Sequence, residues 1–517
     1  MLDQSQPRRV IPRWRSSWIT AQTAEAWVRP PAEKTDYGQA IASKQMELAL
    51  EANVPIASEL MFLATQAGNQ SAAKQAAMMI VENAEKIGAT RLVAVAKRIL
   101  EESDETPVSA PAHDFVREAR KLLALDFRNP VLLTDVAREL TAKGHDRAAL
   151  RYIRTAVALA PQSRFVVRAA ARYFLHVGDR EQAHELLKRT PLLRFDPWIQ
   201  ASEIAVATVR GRVSSHIKKA NLRVAGAKVV SVQLSELASA LATVELQAGS
   251  EKKAKQLFKQ ALTHPTDNSL AQAEWAATRL KLVVDDAALR TPMSFEANSN
   301  NAYRKLLVRE AIEFARQWAY DEPYASRPLG ALCFLYSLEG RFEEAEKFAL
   351  EAIKVDGQDN FPLQLNLLFT RIQQGEIDTS YTEFLRLAKR PEAKEHATHV
   401  FANAGALAYA TGDFGLGREF YQRAIQTARR KSQPNEEALA RAFFARAAAI
   451  HMDPDLDSIV QEAARAIERL PSPGALHIVH DLVGAEKQKK LETTAAGRVA
   501  KRHWEWDAAT NTLKTLE

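Results

Sequence analysis

Apolar and polar positions repeat along most of the chain with the period of an α-helix. Leu133, Val136, Ala137 and Leu140 fall at helical spacing and form one apolar face. Gly144 and His145-Asp146 then break the helix, because glycine tolerates the left-handed backbone that closes a helix end. The spacing predicts a second helix from about Arg147, burying Ala149, Ile153 and Ala156 and stopping at Pro161. Small residues at Ala137 and Ala149 let two helix axes approach closely. The whole pattern is then written again, with Gly178, Ala183, Leu187, Thr190 and Pro191. Gly144 to Gly178 and Ala149 to Ala183 are each 34 residues. One such hairpin cannot bury its own apolar face, so copies must stack.

Further copies follow at irregular intervals. Residues 235–265 carry Ala242, Gly249, Ala254, Phe258, Ala261 and Pro265. Residues 326–357 carry Cys333, Tyr336, Gly340, Ala345, Ala349 and Ala352, with Gly357 at the end. Residues 398–424 carry Gly405, Gly412, Gly417, Tyr421 and Ala424, and a degenerate copy at 54–80 has Gly68 and Ala73. The set resembles the tetratricopeptide repeat family. That family has a small residue at position 8, Gly at 15, Ala at 20, a large apolar residue at 24, Ala at 27 and Pro at 32. Most copies lack the family's Trp and Tyr in the first helix. The resemblance implies an all-α fold, a right-handed α-solenoid of tetratricopeptide-type helical hairpins, and a non-enzymatic protein that binds other macromolecules.

The punctuation predicts the organisation of the chain. Residues 1–33 form an arm with five arginines, Arg8, Arg9, Arg13, Arg15 and Arg29, among Trp14, Trp18 and Trp27. Helical repeats are expected over 34–103, a linker over 104–112 (DETPVSAPA), and a first solenoid half over 113–284, in which Asp196 is placed to cap a helix. The stretch 285–300 reads as a loop between halves, followed by a helix over 301–319. The second half spans 301–483, and a polar tail or cap spans 484–517.

Composition adds little and excludes several classes. The net charge of +7 and pI near 9.2 are modest for 517 residues and permit an acidic partner without requiring one. The single cysteine, Cys333, excludes an intrachain disulfide, fits a reducing compartment and falls at a core position of its repeat. No apolar run follows Arg8-Arg9 and none reaches 18 residues, so a cytoplasmic protein without a membrane span is expected. No phosphate-cradling glycine loop, HExxH or CxxC is present. His396/His399 and His477/His480 each supply two imidazoles on one helix face, too few for a metal. Asp453, Asp455 and Asp457 imitate a calcium loop, but Ser458 and Ala464 stand where Gly and Glu are needed; a turn with Asp457 capping the next helix is expected instead. No enzyme activity, cofactor or metal is expected.

Three groups of residues are candidates for binding. Family resemblance implies that the first helix of each hairpin lines the concave face, which places Arg138, Arg168, Arg172 and His176 in a groove suited to carboxylates. Charge reversal at Arg168 and Arg172 is expected to weaken partner binding without unfolding the protein. The positions of the family's chaperone-binding clamp hold Thr134, Arg138, Ala169, Glu236 and Ala240, so a chaperone-tail receptor is not expected. The arm supplies Arg13, Trp14, Trp18 and Trp27, residue types that anchor interfaces; its tryptophans either dock on the protein's own solenoid or are covered by a partner. The third group is an interval without acidic residues, 204–235, holding Arg210, Arg212, Lys218, Lys219, Arg223 and Lys228. It reads either as an anion or nucleic-acid contact or as a basic face opposite acidic neighbours. The expected function is a scaffold or adaptor for one or more protein partners in a larger complex. The alternative is a nucleic-acid-associated repeat protein using the basic residues in 8–29 and 210–228.

Overall fold

The computed structural model describes residues 10–17, 37–66, 69–84, 91–101, 123, 128–227, 231–291, 293–356, 360–470, 472–480 and 482–483, and the backbone of 504–507 and 512–515. The expected linker 104–112, together with Trp18, Trp27 and Lys228, lies outside the described residues. The fold is an all-α solenoid of tetratricopeptide-type hairpins. The chain divides into two compact units, one of Met1–Trp14, Ala137–Arg154 and Val167–Glu517, the other of Arg15–Val136 and Thr155–Val166.

In the smaller unit, helices Tyr37–Leu50, Val54–Gln66, Gln70–Glu82 and Arg91–Glu101 pack in sequence. Their core is Ile41, Leu60, Ala64, Ala73, Ala76 and Ile80. Alanine dominates one face of the third helix, so its neighbours approach closely. Asn69 starts that helix, its side chain accepting from the Ala72 N–H.

In the larger unit the hairpins follow the predicted spacing. Arg164–His176 and Arg180–Arg189 flank Gly178, which takes a positive φ of 80°. Asp196 caps Pro197–Val209, accepting from the Trp198 N–H at 2.9 Å. Val232–Gln247 and Glu251–Ala261 form the copy read at 235–265, and Ser326–Leu338 and Phe342–Asp356 the copy read at 326–357. Cys333 is buried, and burial pushes its thiol up to about 11.

Three stretches differ from expectation. The loop expected at 285–300 is two helices, Asp286–Leu289 and Phe295–Arg304, and the helix expected at 301–319 divides there. The residues that read as loop are polar, but their polar groups are bonded inside the fold: Asn298 donates to the Leu289 carbonyl at 3.1 Å and Ser299 to the Ala311 carbonyl at 2.9 Å. Leu306, at φ 65°, makes the turn that glycine makes elsewhere, and Val308–Asp321 follows. A further hairpin, Phe361–Gln373 and Ile377–Ala388, turns at Gly375. The repeat pattern does not pick it out, because buried Ser380 stands where alanine is expected. Last, helix Leu456–Arg469 begins after Asp455, and Asp457 lies within its first turn instead of capping it. Asp453 has the structural role, accepting from the Tyr409 hydroxyl at 2.5 Å and from Arg418 Nε at 3.1 Å. The C-terminal tail contributes strands β1 (Trp504–Asp507) and β2 (Thr512–Thr515), paired antiparallel.

Gly405 and Gly417 are needed for close approach. A Cβ on Gly405 would lie 2.6 Å from the Tyr421 ring, and one on Gly417 would lie 2.6 Å from the Tyr409 ring. Gly417→Ala is therefore expected to destabilise by about 1–3 kcal/mol, despite alanine's better helix propensity. A thermal melt checks this; a higher melting temperature would show that the ring moves aside without cost.

Candidate functional site: a groove filled by the chain's own N-terminal segment

The first helices of several hairpins in the larger unit turn side chains onto residues 10–14, which run without helix or strand. Val10 is buried in the apolar cluster that includes Ile204, Leu237 and Leu241. The Ile11 carbonyl accepts from the Asn268 amide at 3.1 Å. The Trp14 N–H donates to the Tyr324 hydroxyl at 2.8 Å, and its carbonyl accepts from Arg138 Nε at 2.9 Å. Main-chain groups are thus read on both sides, as in recognition of an extended peptide.

Two side chains of this segment are seated deeply. Arg13 ion-pairs with Asp267 at 2.7 Å, with Glu296 at 2.6 Å and with Glu322. These acids come from helix Asp267–Leu280, helix Phe295–Arg304 and the end of Val308–Asp321. The Arg13 side chain is 5% exposed, so its charge must be matched locally; the forked guanidinium meets carboxylates from several directions. Trp14 is fully buried, edge-on to Tyr173 at 6.1 Å and tilted on Tyr324 at 5.4 Å. Burial, reinforced by the Glu322 carboxylate, pushes the Tyr324 hydroxyl up to about 12, keeping it neutral and able to accept the Trp14 N–H.

The predicted groove residues converge here, but in a different role. Arg138 is buried and also donates to the Asp321 carbonyl at 2.7 Å. The Arg172 guanidinium lies 5.0 Å from the Tyr324 ring centroid, and the His176 ring meets Tyr324 edge-on. Burial, with Arg172 adding to it, holds the His176 imidazole below its usual range against the pull of Asp146. Arg168 is 1% exposed and pairs with Glu236 at 2.9 Å, over the Trp198 ring at 4.9 Å. Of the two readings of the arm, Trp14 follows the one in which it docks on the protein's own solenoid, and Arg13 is buried beside it. Arg168 pairs with Glu236 inside the fold.

Charge reversal at Arg168 therefore has a structural consequence. Arg168→Glu is expected to cost about 3–5 kcal/mol, since it leaves two acids facing each other in a buried site. Arg168→Met combined with Glu236→Leu should recover most of that loss. Urea denaturation of the three proteins checks both statements, and an unchanged midpoint for Arg168→Glu would overturn the pairing.

The basic interval is partly absorbed into the fold. Arg210 bonds His184 at 2.6 Å and pairs with Glu181, and Arg223 donates to the Phe195 carbonyl at 3.0 Å. Arg212, Lys218 and Lys219 are exposed, Lys219 lying 3.4 Å from the Arg194 carbonyl. Asp267, Glu296, Glu322 and Tyr324 escaped the sequence reading. Acids are common in every helix of such a chain, and nothing local marks these as facing one arginine.

Among the described residues, no group of three or more His, Cys, Asp or Glu is placed to hold a metal ion, and no helix is long and apolar enough to cross a membrane. No protein-family model matches the chain, and no curated protein matches it. Among solved structures, the chain is similar to a chain of the APC/C hetero-tetramer Cut9–Hcn1, with 13% identity, a TM-score of 0.39 and coverage of 90% of both chains. It is also similar to human IFIT1, solved as a dimer with PPP-AAAA, with 14% identity, a TM-score of 0.36 and coverage of 76% of this chain and 95% of that one.

Proposed function

We propose that the protein is a non-enzymatic scaffold or adaptor that binds polypeptide partners along the face made by the first helices of its hairpins. The observation that supports this reading is the seat of residues 10–14. The groove holds an extended segment by its main chain, by an arginine among three carboxylates and by a tryptophan between two tyrosines. A surface with those properties recognises peptide as a class of ligand, whether the peptide arrives in the same chain or in another.

The test supplies the segment in trans. A peptide of residues 8–17 is titrated into the chain lacking residues 1–17 by calorimetry, and thermal melts are followed in parallel. Saturable binding is expected, with a rise in melting temperature, because a ligand that binds only the folded state stabilises it. Peptides carrying Arg13→Glu or Trp14→Ala should bind at least about tenfold more weakly, the loss of roughly 1.4 kcal/mol or more. Equal binding by all three peptides would refute peptide recognition by this groove.

A further inference from the structure

The basic surface around helix Ile217–Ala225 carries apolar side chains that the fold does not bury. The helix is amphipathic. Ala220 and Val224 sit in the apolar cluster with Leu237 and Leu241, while Lys218, Lys219 and Leu222 face outward about one turn apart. Arg223 donates to the Phe195 carbonyl at 3.0 Å and Lys219 to the Arg194 carbonyl at 3.4 Å, which sets the turn at 194–195 beside the helix. The turn at 210–214 leads into the start of the helix. Three apolar side chains protrude from these elements: Leu222 is 68% exposed, Phe195 61% and Val213 87%. Each stands next to a cation, Phe195 by Arg194, Val213 by Arg212, and Leu222 by Lys218 and Lys219. Among the described residues no carboxylate pairs with any of these four cations.

The outward turn is held firmly from within. Arg210 bonds His184 at 2.6 Å, and His184 bonds the buried Glu203 at 3.0 Å. Ser214 also donates to Glu203. The Arg212 N–H donates to the Ala207 carbonyl at 2.9 Å, and Gly211 takes a positive φ of 67°. Residues on both sides of Arg212 and Val213 are therefore anchored, and the two side chains are presented to the outside by a fixed backbone.

The chemistry of the partner follows from this pattern. Cations without counter-charges raise the local concentration of anions. Phosphates of a nucleic acid would satisfy them but would leave the aliphatic tips without a contact. Side chains exposed to this degree line no groove, so the partner must take them in. A folded protein would need three matched pockets. The boundary between headgroups and acyl chains of a bilayer admits protruding apolar side chains at any spacing, with basic residues beside them at the level of the phosphates.

We propose that this surface docks the protein on an anionic lipid membrane, with Phe195, Val213 and Leu222 entering below the headgroups and Arg194, Arg212, Lys218 and Lys219 meeting lipid phosphates. The surface is separate from the seat of Arg13 and Trp14, so it stands or falls without the peptide titration described above.

The full chain is mixed with vesicles of phosphatidylcholine, alone or with phosphatidylserine, and bound protein is measured by flotation. Binding to the anionic vesicles is expected, at least about tenfold stronger than to phosphatidylcholine alone and weakened by salt. Lys218→Glu with Lys219→Glu should lower the partition at least about tenfold. Lys389→Glu with Lys394→Glu, which makes the same change in net charge at two exposed lysines elsewhere, should leave it within about twofold. Val213→Ser with Leu222→Ser should also lose about tenfold or more, with the preference for phosphatidylserine retained. Melting curves confirm that each variant is folded, as expected for exposed side chains. If the Lys218/Lys219 pair does not fold, Arg212→Glu replaces it. No binding to anionic vesicles would overturn the proposal, as would an equal loss in the Lys389/Lys394 pair. Full binding by the Val213/Leu222 variant would overturn it too, because the surface would then act through charge alone, as one for nucleic acid or an acidic polypeptide does.

Discussion

Replacing Trp14 with alanine is expected to lower the unfolding free energy by about 3–5 kcal/mol, the usual range for removing a large buried aromatic residue. The side chain is fully buried, and the two rings that hold it, Tyr173 and Tyr324, come from hairpins far apart in sequence. Its removal would leave a cavity that neither tyrosine can fill without abandoning other contacts, since the Tyr173 hydroxyl donates to the Asp146 carbonyl at 2.8 Å. Trp14→Phe should cost less, because it keeps an aromatic body in the seat. Thermal and urea melts of the three proteins measure the effect. A melting temperature for Trp14→Ala within a degree of wild type would mean that residues 10–14 do not occupy the groove in solution.

Arg13→Ala is expected to cost a similar amount, about 3–5 kcal/mol, for an electrostatic reason instead of a packing one. Removing the guanidinium leaves Asp267, Glu296 and Glu322 facing one another with no shared cation, and breaking a buried ion pair from one side is more costly than never having built it. Arg13→Glu should be worse still. Arg13→Lys should fall between wild type and alanine, because an ammonium is a single point of charge and cannot fork toward several carboxylates. Urea midpoints of the four proteins check the order; an unchanged midpoint for Arg13→Ala would mean that the three acids do not depend on it.

Much of the architecture was legible in the sequence. Gly144 and Gly178 mark hairpin turns because the backbone there needs a positive φ, and the alanines around them mark close helix contacts. Asp196 announced a helix start by the same local logic and caps one. These inferences succeed because helix periodicity, turn conformation and capping involve residues within a few positions of one another. They fail where a locally polar stretch is satisfied in the core, as with Asn298 and Ser299, or where a residue outside the usual set makes the turn, as with Leu306.

The sequence by itself therefore determined the repeat and the fold class, and it singled out Arg13, Trp14, Arg138, Arg168 and Arg172. It could not determine what those residues anchor. An arginine beside a tryptophan has the same local pattern whether a partner or its own chain covers it. Only the tertiary structure decided this, by bringing Glu296 and Glu322 to Arg13 from 283 and 309 residues away. Over such separations the pairing is set by how the hairpins stack, which no local spacing encodes.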